Sequence, residues 1–283
     1  MKKIIVFIIF LSSCMKDVIL EKLPSSSVDV LNKIPSNVVK GYPCADTTNY
    51  DVFNGIRFVN NNTYGNKSYG ALIVNKNDGY PIYDGNESSR FELKLGDCGG
   101  GVGYDDCSTG RSRSEIREEW VNPSTVLGKT ITYTESIFIP SQNNFKPTKD
   151  GLLVLSQVHW DGGDGTVGSL TYLVMEQNNN LLIRTHKDFT WVGLRDYPIT
   201  NIPFDKWINI KYEIKVSNKS DGYIKVFVNG EQLFIENRPT VNNPTTCSIQ
   251  LKLGVYNTFV NNNLPTQYYN QILYVDGVSK TIN

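Results

Sequence analysis

Charge of one sign is the first thing this 283-residue chain lacks: 28 Lys and Arg balance 28 Asp and Glu. A neutral chain has no long-range attraction for nucleic acid, so any anion-binding site must be a local patch. Histidine is almost missing, with two in the whole chain. Long apolar runs are missing too, since Ile4 to Leu11 is too short to span a bilayer. No long segment has helical periodicity, and no repeat of fixed period occurs. Metal-ligand spacings and phosphate-cradling glycine loops are also absent, and Gly99-Gly100-Gly101 follows no nucleotide motif. No metal and no cofactor are therefore expected.

What is present begins with a processing signal. Lys2 and Lys3 precede the short apolar run, and Leu11-Ser12-Ser13-Cys14 resembles the bacterial lipobox, whose cysteine is acylated. Residues 1–13 read as a lipoprotein signal peptide, 14–49 as a lipidated N-terminus and tether, and 50–283 as the folded domain. Val28 to Ile34 could form a short helix within the tether. The expectation is an exported bacterial lipoprotein, periplasmic or on the cell surface, whose only hold on the membrane is its acyl chains. After Cys14 four cysteines remain, Cys44, Cys98, Cys107 and Cys247. An even count in an exported chain points to two disulfides. Cys98 and Cys107 enclose a glycine-rich loop flexible enough to let them meet, whereas Cys44 with Cys247 follows by elimination alone.

From Val52 onward the chain reads as strands separated by Asn, Gly and Asp clusters. Candidate strands are Gly55–Val59, Ser89–Lys94, Arg111–Glu118, Thr130–Ile139, Leu152–Trp160, Leu170–Met175, Asn180–Thr185, Ile208–Val216, Tyr223–Val228, Gln232–Glu236, Ser248–Tyr256 and Gln271–Val275. Lys211, Glu213 and Lys215 alternate with Tyr212, Ile214 and Val216, and Asn229-Gly230 is a strong two-residue hairpin signal. This many strands in one domain imply an all-β, two-sheet antiparallel sandwich of the jelly-roll kind, with one concave face for a long ligand.

Three of these strands carry chemistry. In Leu152–Trp160 the period of two puts Gln157 and His159 on one face and Val158 and Trp160 on the other. A neutral imidazole beside an amide donor can take a carbon-bound proton from a carboxylate-bearing substrate. In Gly110–Glu118, Arg111, Arg113, Glu115 and Arg117 share a face. Three guanidiniums against one carboxylate suit anionic ligands, and Glu115 can orient its neighbours. In Gln250–Tyr256, Leu251, Leu253 and Val255 form the core side, opposite Lys252 and Tyr256. Gly254 between those two is read as a gap where a ligand could approach the backbone. Taken singly, these strands are also compatible with a structural histidine, a solvated charged edge and ordinary surface side chains.

Together the stretches resemble the jelly-roll polysaccharide lyases. Arg113-Ser114-Glu115-Ile116-Arg117 resembles the Arg-x-Glu-x-Arg motif of alginate lyases, Gln157-Val158-His159 their Gln-(Ile/Val)-His motif, and Lys252-Leu253-Gly254-Val255-Tyr256 their Lys-Ala-Gly-x-Tyr motif. Heparin-lyase-like and glucuronan-lyase-like proteins are also similar, through Arg90-Phe91-Glu92-Leu93, Gly96-Asp97-Cys98, Asp106-Cys107 and the Trp207–Gly230 region. Gln250-Leu251 stands where alginate lyases carry Tyr-Phe, so alginate itself is not singled out. The resemblance implies β-elimination at a uronic acid, giving 4,5-unsaturated ends. It casts His159, Tyr256, Gln157 and Arg113 as catalytic, and Arg111, Glu115, Arg117 and Lys252 as substrate-binding. The partner expected is an anionic polysaccharide, acted on by a monomer. Two rivals exist: a non-catalytic carbohydrate-binding surface lipoprotein, and a glycoside hydrolase. Hydrolases on such sandwiches place two carboxylates on one strand as Glu-x-Asp-x-x-Glu, and Arg117 occupies the Asp position here.

Overall fold

The computed structural model describes residues 50–53, 56–60, 67–94, 96–97, 99–101, 104–106, 108–119, 121, 123–141, 151–161, 167–176, 179–187, 189, 193–199, 204–242, 248–258 and 270–283. All five cysteines and the expected signal, tether and short helix lie outside these residues.

Seventeen strands follow in order: β1 (Tyr50–Phe53), β2 (Ile56–Asn60), β3 (Ala71–Asn75), β4 (Glu87–Leu93), β5 (Gly100–Gly101), β6 (Tyr104–Asp105), β7 (Ser112–Glu118), β8 (Thr130–Phe138), β9 (Leu153–Asp161), β10 (Val167–Met175), β11 (Leu181–His186), β12 (Leu194–Ile199), β13 (Trp207–Lys215), β14 (Tyr223–Val228), β15 (Glu231–Asn237), β16 (Ser248–Asn257) and β17 (Gln271–Ile282). A helical turn, α1 (Pro123–Val126), lies between β7 and β8. Among the described residues no helix is long and apolar enough to cross a membrane.

Fifteen of the strands form an eight-stranded sheet in the order β1-β2-β7-β16-β9-β10-β11-β12 and a seven-stranded sheet in the order β15-β14-β13-β8-β17-β4-β3, and β5 pairs with β6 apart from these. Neighbours are antiparallel throughout. The apolar core lies between the sheets. Ile116, Val158, Trp160, Leu251, Leu253 and Val255 from the larger sheet meet Ile131, Tyr133, Ile210, Tyr212, Ile214 and Val275 from the smaller one. In β13 the alternation is strict: Ile208, Ile210, Tyr212 and Ile214 are buried, while Asn209, Lys211 and Glu213 are half-exposed. Asn229 and Gly230 both take positive φ, 50° and 86°, and close β14 on β15 as the sequence predicts. The architecture is the expected antiparallel jelly-roll sandwich.

Two irregularities between β9 and β10 decide where Gln157, His159 and Ser169 go. The β9–β10 register slips between Leu173 and Val174, which pair with Ser156 and Val154 and leave Leu155 as the extra residue. Leu153 and Leu155 both lie in the core. Strict alternation from them would push Gln157 and His159 inward. The bulge resets the phase, so Val158 and Trp160 fill the core and Gln157 and His159 face outward. A second slip, between Ser169 and Thr171, does the same for β10 and turns Ser169 outward opposite His159.

Candidate active site

The outward faces of β7, β16, β9, β10 and β11 meet around β16. Cross-strand pairing sets Lys252 between Arg117 and Gln157, Gln250 beside His159, and Tyr256 between Arg113 and Val154. Thus Arg113, Glu115, Arg117, Gln157, His159, Lys252 and Tyr256 gather on one face as predicted. Arg111 precedes the strand, and its amide donates to the Asp106 carbonyl at 2.8 Å. These polar side chains turn away from the core yet are almost covered: Glu115 is 2% exposed, Gln157 5%, His159 7% and Lys252 8%. The face is therefore recessed, and charges within it act through less water than on an open surface.

One chain of hydrogen bonds runs through the recess. Asp106 takes two from Arg113, at 2.5 Å from Nε and 2.9 Å from Nη2, and Glu115 accepts from Arg113 Nη1 at 3.1 Å. The other Glu115 oxygen accepts from Gln157 Nε2 at 2.7 Å, and Gln157 Oε1 accepts from Ser169 Oγ at 2.5 Å. The Arg113 guanidinium also stacks over the Tyr256 ring, 4.1 Å from its centroid. Burial works against the Arg113 charge, but Glu115 and Asp106 outweigh it and hold the group more firmly protonated than usual. Arg113 is thus fixed by two acids and one ring, and its pose does not depend on a ligand.

The titrating groups divide into two kinds. Burial, with the positive charges of Lys252, Arg113 and Arg117 and the nearby His186, holds the His159 pKa well below the usual imidazole range. His159 is consequently neutral and able to accept a proton. Burial pushes the Tyr256 phenol up, against the opposing pull of Arg113 and Arg111, so Tyr256 carries its proton at neutral pH. His159 Nδ1 and Gln250 Oε1 are buried without a hydrogen-bond partner among the described residues. Buried polar atoms are normally paired, so these two stand out on this face.

Gly254 plays a different part from the one expected. Its φ is 135°, and a Cβ there would lie 2.2 Å from the Ser114 carbonyl oxygen and 2.7 Å from Glu115 Cα. The close approach at Gly254 is made by the backbone of β7, not by space for a ligand. The missing side chain lets β7 and β16 pack tightly enough to set Glu115 and Arg113 against Tyr256.

The sequence reading missed several groups on this face. Asp106 lies in the loop between the two cysteines, and Ser169 one residue before the predicted start of its strand. His186 lies one residue past the predicted end of its strand and stacks on Tyr172, with ring centroids 5.6 Å apart. Arg184 is held by Asp196 at 2.6 Å and 2.7 Å and by Glu176 at 2.6 Å. Beside Tyr256, Val154, Tyr172, Val174 and Leu182 form a small second apolar cluster. Among the described residues no group of three or more His, Cys, Asp or Glu could hold a metal ion.

A buried imidazole, a protonated phenol and fixed cations thus share one face of a jelly-roll sandwich. The chain belongs to the polysaccharide lyase family, whose model matches residues 73–279, and the protein is a polysaccharide lyase. Its structure is similar to that of an endo-β-1,4-glucuronan lyase from the fungus Trichoderma reesei, with a TM-score of 0.52 and 18% identity over 82% of this chain and 94% of that one. It is also similar to the family 7 alginate lyase A1-II′, solved as a variant with bound substrate, with a TM-score of 0.51 and 17% identity over 69% of this chain and 78% of that one. At these identities the likeness speaks for the fold. Comparison with curated proteins found no significant match.

Proposed function

We propose that this enzyme cleaves a uronic-acid-containing polysaccharide by β-elimination, with His159 as base and Tyr256 as acid. The observation that carries the reading is the gathering of Gln157, His159, Lys252, Tyr256 and Arg113 on one covered face, with Glu115 bonded to both Arg113 and Gln157. Burial, which keeps the imidazole neutral and the phenol protonated, agrees with it. The C5 proton of a uronate is weakly acidic because its carboxylate resists becoming an enolate dianion. Gln157, with the fixed charge of Arg113 behind it, offsets that developing charge, and one such donor is worth about 2.7–4 kcal/mol. His159 takes the C5 proton as the C–H bond breaks, and its electron pair forms the C4–C5 double bond. The C4–O4 bond breaks, and O4 leaves with the proton of Tyr256. Two separate residues suit a sugar whose C5 proton lies opposite the leaving oxygen. Arg111, Arg117 and Lys252 supply the positive surroundings for neighbouring carboxylates.

Incubation with a panel of uronate polymers tests this, read by the ultraviolet absorbance of unsaturated ends. Reducing ends without that absorbance would favour hydrolysis, and binding without product would favour a carbohydrate-binding protein. Hydrolysis is disfavoured by Glu118, which points into the core. There it accepts from Tyr133 at 2.7 Å, from the Leu251 amide at 3.1 Å and from Lys280. The same proposal places the enzyme on a membrane through acylated Cys14. Cys14→Ser should release it, and a wild type already in the soluble fraction would refute the anchor.

A further inference from the structure

We infer that Ser169 is the positioning residue that fixes the amide of Gln157; the inference rests on the lyase reading of this site. It follows from the direction of each hydrogen bond. A guanidinium can only donate, so Glu115 accepts from Arg113 at 3.1 Å through one oxygen. Gln157 turns its NH2 to the other oxygen, which accepts at 2.7 Å. That leaves the Gln157 carbonyl oxygen facing the Ser169 hydroxyl at 2.5 Å, so Ser169 must donate. The amide is held at both ends, its plane is set, and one N–H of Nε2 is left over for the substrate. An amide held at one end only would swing about the Glu115 bond and lose that aim.

The fold itself supports the pairing. Strict alternation along β10 from Met175 and Leu173 would place Ser169 in the core, as it would place Gln157 along β9 from Leu153 and Leu155. Both are turned outward, each by its own register slip, so two separate bulges serve one contact. Ser169 is 7% exposed, so the hydroxyl meets little competing water. Ser169 acts through Gln157 and is not itself assigned a contact with substrate.

Because Gln157 is asked to stabilise charge that appears only in the transition state, loosening it should lower kcat and leave KM nearly unchanged. We expect Ser169→Ala to cost about tenfold in kcat, the worth of one hydrogen bond of ordinary strength. Ser169→Thr retains the hydroxyl and should recover most of the loss. The side-chain amide resonances of Gln157 should shift in Ser169→Ala and return in Ser169→Thr. An unshifted amide or wild-type kcat in a folded Ser169→Ala would overturn the inference, as would a loss confined to KM. If wild type makes no unsaturated product from any uronate polymer, the lyase reading fails by itself. The amide resonances then still decide whether Ser169 holds Gln157.

Discussion

Adding one methyl group at Gly254 should disable the enzyme from beneath its active site. Its Cβ would stand 2.2 Å from the Ser114 carbonyl oxygen. Carbon and oxygen in close non-bonded contact settle at about 3.3 Å, so β7 would have to retreat by roughly 1 Å. Ser114 lies between Arg113 and Glu115, so the movement carries both ends of the chain that orients Gln157 and Tyr256. A displacement of about 1 Å at a reacting constellation can cost about 10²-fold in rate. Alanine at a φ of 135° adds backbone strain of about 1–3 kcal/mol. For a domain of this size that corresponds to a Tm lower by roughly 2–12 °C. The comparison is Gly168→Ala on β10, where a Cβ meets nothing within 4 Å and Tm should stay within about 1 °C of wild type. Steady-state production of unsaturated ends and a thermal melt read both effects. A Gly254→Ala protein with wild-type Tm and wild-type kcat would refute the claim that β7 occupies the space above this glycine.

Tyr256→Phe keeps the ring beneath the Arg113 guanidinium, 4.1 Å away, so folding should be unchanged while kcat falls by at least about 10². Near-normal turnover would reject Tyr256 as the acid. Since Lys252 helps hold the His159 pKa well below 6.5, the acid limb of kcat/KM should lie well below that pH, and Lys252→Met should move it upward. A limb that ignores Lys252 would remove His159 as the base. Glu135 sits in the core, where burial lifts its pKa from 4.5 to about 8 against hydrogen bonds from Ser156 and Tyr212. The folded state therefore binds a proton that the unfolded chain releases. The contribution of Glu135 to stability is whole below pH 4.5 and is lost as pH rises through about 8, by at most roughly 5 kcal/mol. Glu135→Gln cannot ionise, so its Tm should fall less than that of wild type between about pH 6 and 9; parallel curves would refute this.

Much of the sandwich was legible because its central strands alternate. All twelve predicted strands correspond to strands in the structure. The longer missed ones lie at sheet edges: β1 and β12 bound the larger sheet, and β3 bounds the smaller. In β12, Leu-Arg-Asp-Tyr-Pro-Ile is mostly exposed and carries Pro198. An edge strand needs only one hydrogen-bonded flank, so it tolerates proline and shows little apolar period. The site residues on β7, β9 and β16 were found through their faces and motifs. Asp106 was not, because its link to Arg113 depends on the fold of a loop, and periodicity says nothing about loops.

The two bulges were legible in principle, through a conflict of phase. In Leu153-Val154-Leu155-Ser156-Gln157-Val158-His159-Trp160, the first half demands that odd positions be buried, and Val158 and Trp160 demand even ones. No regular strand satisfies both, and one extra residue at Leu155 does. The same conflict separates Leu170 from Leu173 and Met175 in β10. Bulges bend a strand and re-aim side chains, and they concentrate beside active sites. The consequence here is that Gln157, His159 and Ser169 owe their place on the outward face to irregular backbone, whereas Arg113 and Glu115 owe theirs to the regular β7–β16 ladder, and Lys252 and Tyr256 flank a slip of β16 against β9. Deleting Leu155 should make β9 a regular strand, with Leu153, Ser156, Val158 and Trp160 still inward and Gln157 and His159 still outward, at the loss of one fully buried leucine. That variant should lose stability first and a melt should show it, whereas truncating Lys252 or Tyr256 on β16 should cost activity first.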